Sequence, residues 1–136
     1  MQLRAPGLPQ LETLLDEFPS TPGVVLDHMA RPAPDDAANL FSLARYSNLF
    51  LKFTTHNVRD AAKAQAGPQA FMRRVVEAFG ARRIAWGSNY PASEGSLGEL
   101  ARRGAAGGLG LAGRRPGVDL SRTARAAFTR ACVAPR

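Results

Sequence analysis

The chain has 136 residues, 45% of them hydrophobic, with 18 basic and 11 acidic side chains and a formal net charge of +7. That balance suits a folded domain and excludes wholesale disorder, while the absence of an apolar run near ~20 residues or of a signal-peptide pattern excludes a membrane span and points to a cytoplasmic protein. A single cysteine, Cys132, excludes an internal disulfide framework and any multi-cysteine metal site. From the N-terminus, Met1–Arg4 reads as a strand stump, followed by Leu11, Leu14, Leu15 and Phe18 at helical spacing up to Pro19. Val24–His28 is a β-branched run framed by Pro22-Gly23 and Pro32, and Leu40, Phe41, Leu43 and Ala44 mark a second helix after Asp35-Asp36. Leu49–Thr54 is the next strand, and Thr54–Asp60 reads as a polar loop. Phe71, Met72, Val75, Val76 and Phe79 predict a third helix, with Pro68 near its first turn and Gly80 just past its end. Ile84–Gly87 is the last strand, with room for one more helix.

The excess charge has a location. Residues 1–100 hold ten basic and ten acidic side chains, whereas residues 101–136 hold eight arginines and one acid, Asp119. Alanine, glycine and arginine make up 23 of those 36 residues. Residues 1–103 are therefore read as the folded domain, and 104–136 as an irregular Arg/Ala/Gly-rich tail whose composition a shifted reading frame would produce. Nucleic-acid binding through that tail is not expected, because Phe128 is its one aromatic residue and no base-stacking platform accompanies the cations.

Alternating strands and helices imply a parallel sheet covered by helices. The carboxyl ends of parallel strands are where such sheets bind ligands, and three of them are polar: Asp27-His28-Met29-Ala30-Arg31, Thr54-Thr55-His56-Asn57-Val58-Arg59-Asp60, and Ser88-Asn89-Tyr90-Pro91 with Ser93 and Glu94. Both histidines of the chain lie there. Each residue also has a plain reading: His28 as a buried histidine bonded to a carbonyl, His56 as a surface residue, Asn89-Tyr90-Pro91 as a turn, Lys52 and Arg59 as solvated charges.

In order along the chain, Val24-Val25-Leu26-Asp27-His28-Met29-Ala30-Arg31-Pro32, Leu51-Lys52-Phe53-Thr54 and Ile84-Ala85-Trp86-Gly87-Ser88-Asn89-Tyr90-Pro91 resemble the C-terminal half of the amidohydrolase-related family (amidohydrolase family 2). The family includes lactonases such as those of 2-pyrone-4,6-dicarboxylate and of sugar lactones, and related decarboxylases. Over about residues 1–103 the resemblance implies the last four β/α units of a TIM (β/α)8 barrel. It implies hydrolysis of lactone, ester or amide bonds in small carboxylated or sugar-derived substrates. His28 would be the histidine after the sixth strand, and Asn89 would stand where relatives carry an aspartate that binds metal or activates water. Arg31, His56, Asn57, Arg59 and Tyr90 become candidate substrate contacts. An amide at position 89 cannot take a proton or anchor a metal as a carboxylate does. With two imidazoles in the chain, neither a metal site nor another cofactor is expected, although some relatives use a divalent metal. The half-barrel is expected to have little activity alone, as a fragment or one piece of a split enzyme. The competing reading is a non-catalytic interaction module that pairs its open strand edges with a second copy or a complementary N-terminal half.

Overall fold

The computed structural model describes residues 1–107. Its elements alternate in chain order: α1 (Leu8–Glu17), β1 (Val24–Leu26), α2 (Ala38–Ser42), β2 (Leu49–Thr54), α3 (Thr55–Ala61), α4 (Gly67–Phe79), β3 (Ile84–Gly87) and α5 (Leu97–Gly107). The three strands form one parallel sheet in the order β1-β2-β3. The mixed α/β class is thus as expected, but among the described residues the sheet has three strands rather than four. Met1–Arg4 is not a strand. Met1 instead lies along β1, its terminal ammonium donating to Val25 O and its carbonyl accepting from Asp27 N, both at 2.8 Å.

Register explains the burial. Leu26, Leu51 and Ile84 are lateral partners, as are Phe53 and Trp86. Side chains alternate between faces along a strand, so these residues share one face, and there they meet the helices. Leu8, Leu11 and Leu15 of α1 and Phe71, Met72, Val75 and Phe79 of α4 complete that core. At roughly 1.5–3 kcal/mol per buried large apolar side chain, this layer supplies the main drive to fold. The spacing in α1 differs from expectation. Leu8, Leu11 and Leu15 turn inward, leaving Leu14 39% and Phe18 55% exposed.

Helix α4 forms as its pattern predicts and stops at Gly80, whose φ of 77° suits glycine. Beyond it, the Arg83 guanidinium donates to the carbonyls of Phe79, Tyr46 and Ala44, tying the end of α4 to the turn before β2. The second predicted helix is shorter than its apolar pattern, since α2 ends at Ser42 and Leu43–Arg45 is a 3-10 turn. The predicted strand Val24–His28 pairs only as far as Leu26. Helix α5 crosses the change in composition at Arg103-Gly104, so residues 104–107, read as the start of the tail, are helical. Residues 108–136, with the remainder of the predicted tail, lie outside the described residues. No helix among the described residues is long and apolar enough to cross a membrane.

Candidate active site

The parallel arrangement puts the ends of β1, β2 and β3 side by side, and the sequence continues from each with a polar segment. After β1 the backbone turns left-handed. His28, Met29, Ala30 and Arg31 have φ values of 53°, 50°, 58° and 51° in succession. Left-handed backbone costs a non-glycine residue roughly 1–2 kcal/mol, so the turn persists only because its surroundings hold it. Met29 and Ala30 are fully buried beneath it, and Arg31 N donates to His28 O at 2.9 Å.

After β2 the predicted polar loop is absent. Helix α3 begins at once, because Thr54 and Asn57 form a capping box. Asn57 is 3% exposed, and both ends of its amide are hydrogen-bonded within the protein. Oδ1 accepts from Thr54 N and from Thr54 Oγ1, both at 3.0 Å, and Nδ2 donates to His28 O at 2.6 Å. Asn57 therefore supports the site from below rather than facing a ligand, which corrects its assignment as a substrate contact.

These bonds fix the protonation of His28. Asn57 Oδ1 can only accept, so the Thr54 hydroxyl proton is committed to it. The 2.8 Å bond between Thr54 Oγ1 and His28 Nδ1 must then have the imidazole as donor. His28 carries its proton on Nδ1, and its Nε2 lone pair makes no hydrogen bond among the described residues. Burial pushes the His28 pKa below its ordinary 6.5, assisted by Lys52, Arg31 and Arg4 and opposed by Asp27. The ring is neutral at pH 7.

His56, on α3, packs edge-on to His28 with ring centroids 5.2 Å apart. A guanidinium only donates, so the 2.8 Å bond between Arg59 and His56 Nδ1 places the His56 proton on Nε2. That edge meets Asn89 Nδ2 at 2.9 Å, donor against donor, so the pair becomes a hydrogen bond only once the amide is rotated to turn Oδ1 to the ring. The same end of Asn89 lies 3.2 Å from Ser93 Oγ, which is 2.9 Å from Thr55 Oγ1. Asn89 itself is left-handed, with φ 57°, and precedes a cis Tyr90-Pro91 bond. Burial, with Arg31, Arg59 and His28, lowers the His56 pKa below 6.5 against a raising contribution from Asp60.

The structure thus brings together His28, His56, Asn89 and Arg59. It separates two other candidates. Arg31 makes a bidentate bond to Asp60, at 2.6 and 2.9 Å, so a protein carboxylate already occupies the fork that a substrate carboxylate would use. Burial alone would raise the Asp60 pKa, but the Arg31 hydrogen bond and the charges of Arg31, Arg59 and Lys63 outweigh it and hold the carboxyl below its ordinary value. Tyr90 is 59% exposed, and among the described residues only its backbone N–H is bonded, to Ser88 Oγ. Lys52, read as a solvated charge, lies 2.7 Å from Asp27 Oδ1. Thr54 and Ser93 belong to the network although neither stood out as a chemical group; the capping pattern Thr-x-x-Asn was the signal for the first. Beside this network, Thr55, His56, Arg59, Ser93 and Arg103 line part of a cavity of about 390 Å³ between α3 and α5.

A family model described as amidohydrolase matches residues 1–129. The chain belongs to the amidohydrolase family. Among solved structures, a zinc-bound amidohydrolase from Burkholderia multivorans is similar at 20% identity and a TM-score of 0.66, over 95% of this chain and 52% of that one. A protein from Pseudomonas putida named as a 2-pyrone-4,6-dicarboxylic acid hydrolase is similar at 23% identity and a TM-score of 0.65, over 94% of this chain and 50% of that one. At these identities the likeness establishes the shared fold, and this amidohydrolase chain spans about half the length of each neighbour. Comparison with curated proteins finds no match.

Zinc in one neighbour prompts a test of the donor set here. Among the described residues no three His, Cys, Asp or Glu side chains gather as a metal site requires. His56 Nδ1 is taken by Arg59, position 89 is an amide, and His28 Nε2 is the open imidazole lone pair. One such donor does not fit a resident zinc, which takes three or four protein ligands.

Proposed function

We propose that this amidohydrolase chain carries part of a site that hydrolyses a lactone or ester carbonyl, formed on the last β/α units of a (β/α)8 barrel. The observation that carries the reading is the neutral His28, whose Nδ1 proton is pinned to Thr54 while Nε2 stays open. Such a group takes a proton from water as the oxygen adds to the carbonyl carbon, then returns it to the departing alkoxide as the carbon–oxygen bond breaks. With its oxygen turned to His56, the Asn89 amide has an NH2 group to spare for the oxyanion, a donor whose removal typically costs about 10²–10³ in rate. Asn89 therefore orients and polarises substrate rather than acting as base. The name of the Pseudomonas putida neighbour and the cavity beside His56, lined by Arg59 and Arg103 with Glu94 as its one acid, support a small carboxylated lactone as substrate.

The test uses the purified 136-residue chain with small carboxylated lactones and aryl esters. Slow turnover is expected, falling at least about 10²-fold in His28→Ala. Its rate should hold at neutral pH and decline only below 6.5, because the depressed pKa keeps His28 unprotonated down to that region. Turnover that His28→Ala leaves unchanged would overturn the reading.

A further inference from the structure

The residues of α3 and its N-cap that face the left-handed turn follow a single stripe. Thr54, Asn57 and Asp60 are three apart, the spacing that aligns side chains on one face of a helix. Each holds a different part of the turn: Thr54 takes the His28 ring, Asn57 takes the His28 carbonyl, and Asp60 takes the Arg31 guanidinium. The stripe therefore grips both ends of the strained run, residues 28 and 31. Arg31 is the last of the four left-handed residues, so the Asp60 bond anchors the far end of the turn as a clamp.

We infer that Asp60, acting through Arg31, is a positioning residue for His28: it holds the turn whose geometry keeps Nδ1 on Thr54 and Nε2 open to the site. The consequence for catalysis rests on the function proposed above, but the effect on the ring does not. A merely structural ion pair would alter stability and leave the tautomer alone.

The chain has two histidines, so the two-bond ¹H–¹⁵N spectrum of the full chain with labelled histidine reads His28 directly. At neutral pH the native protein is expected to show the Nδ1–H form. Asp60→Asn is expected to shift His28 toward the tautomer mixture of a free imidazole, and Asp60→Glu, which keeps the charge, to restore much of the native signal. On a hydrolysable ester, Asp60→Asn is expected to lower kcat roughly tenfold with KM little changed, as a small misplacement of a reacting group does. Arg31→Lys, which keeps the charge and loses the fork, provides the same readout should Asp60→Asn fail to fold. A pure Nδ1–H signal in a folded variant lacking the clamp would overturn the inference. Turnover indifferent to His28→Ala alongside a shifted Asp60→Asn spectrum would sink the functional reading and leave the clamp standing.

Discussion

At the scale of single residues, the two imidazoles are neutral for related reasons but face opposite ways. His28 donates through Nδ1 and leaves Nε2 open, whereas His56 accepts at Nδ1 and presents Nε2–H to Asn89. The residue at 89 therefore lies against the His56 Nε2 edge. Asn89→Asp should fold normally, since aspartate tolerates the left-handed backbone that Asn89 adopts. Its carboxylate would accept the His56 Nε2 proton and favour the imidazolium. The His56 midpoint, now held below 6.5 by burial and by neighbouring cations, is expected to rise in the variant. An NMR titration of the two histidines checks this, and an unmoved His56 midpoint would count against the contact. Because the folded pKa rises, the variant gains stability on the acid side, and that gain is lost as pH climbs through the new midpoint.

Elements differ in how plainly their sequences announce them. Helix α4 was legible because five apolar residues recur at helical spacing between Pro68 and Gly80. Helix α3 was not. Thr55–Ala61 spans seven residues and lacks an apolar stripe, so it reads as a loop until Asn57 is seen to cap it, and capping depends on a side-chain geometry that composition does not display. The positions of His28, His56 and Asn89 at strand ends were legible from strand-then-helix order. The bond from Asn57 to the His28 carbonyl and the capture of Arg31 by Asp60 were not, because both rest on contacts across about 29 residues of chain. Helix α5 poses a further test. A Cβ at Gly104 would meet the Trp86 ring at 2.5 Å, so the helix can dock only while residue 104 has no side chain. Gly104→Ala gains about 1 kcal/mol of helix propensity but overpacks this contact by roughly 1–3 kcal/mol. Net destabilisation is expected, with a red shift in fluorescence from Trp86, the only tryptophan. An unshifted spectrum and an unchanged or higher Tm would show that α5 docks elsewhere.

For the whole molecule, one sheet face carries the helices, and β2 at its centre is where truncation should hurt most. Leu51 is fully buried between Leu26 and Ile84. Leu51→Ala is expected to cost about 2–5 kcal/mol, while Leu14→Ala, at a half-exposed position of α1, should stay within about 0.5 kcal/mol. Urea titrations followed by Trp86 fluorescence and by circular dichroism measure both. Equal losses in the two variants would mean that the sheet is not the centre of the cooperative unit. The other strand face carries Phe50, Lys52, Ala85 and Gly87, and Gly87 gives the Lys52 side chain room to cross it, since a Cβ there would lie 2.6 Å from Lys52 Cε. In this way the lysine reaches Asp27 at the mouth of the sheet.

The junction between β2 and α3 has no spare residue: Thr54 is the last of the strand, and Thr55 the first of the helix. The helix therefore inherits its rotational phase from the strand. One residue added at that point would turn everything after it by about 100°, carrying Asn57 and Asp60 off the turn at His28 and Ala61 out of the core, with composition almost unchanged. A position that looks like the start of an ordinary loop in the sequence thus acts as an angular lock whose length is fixed.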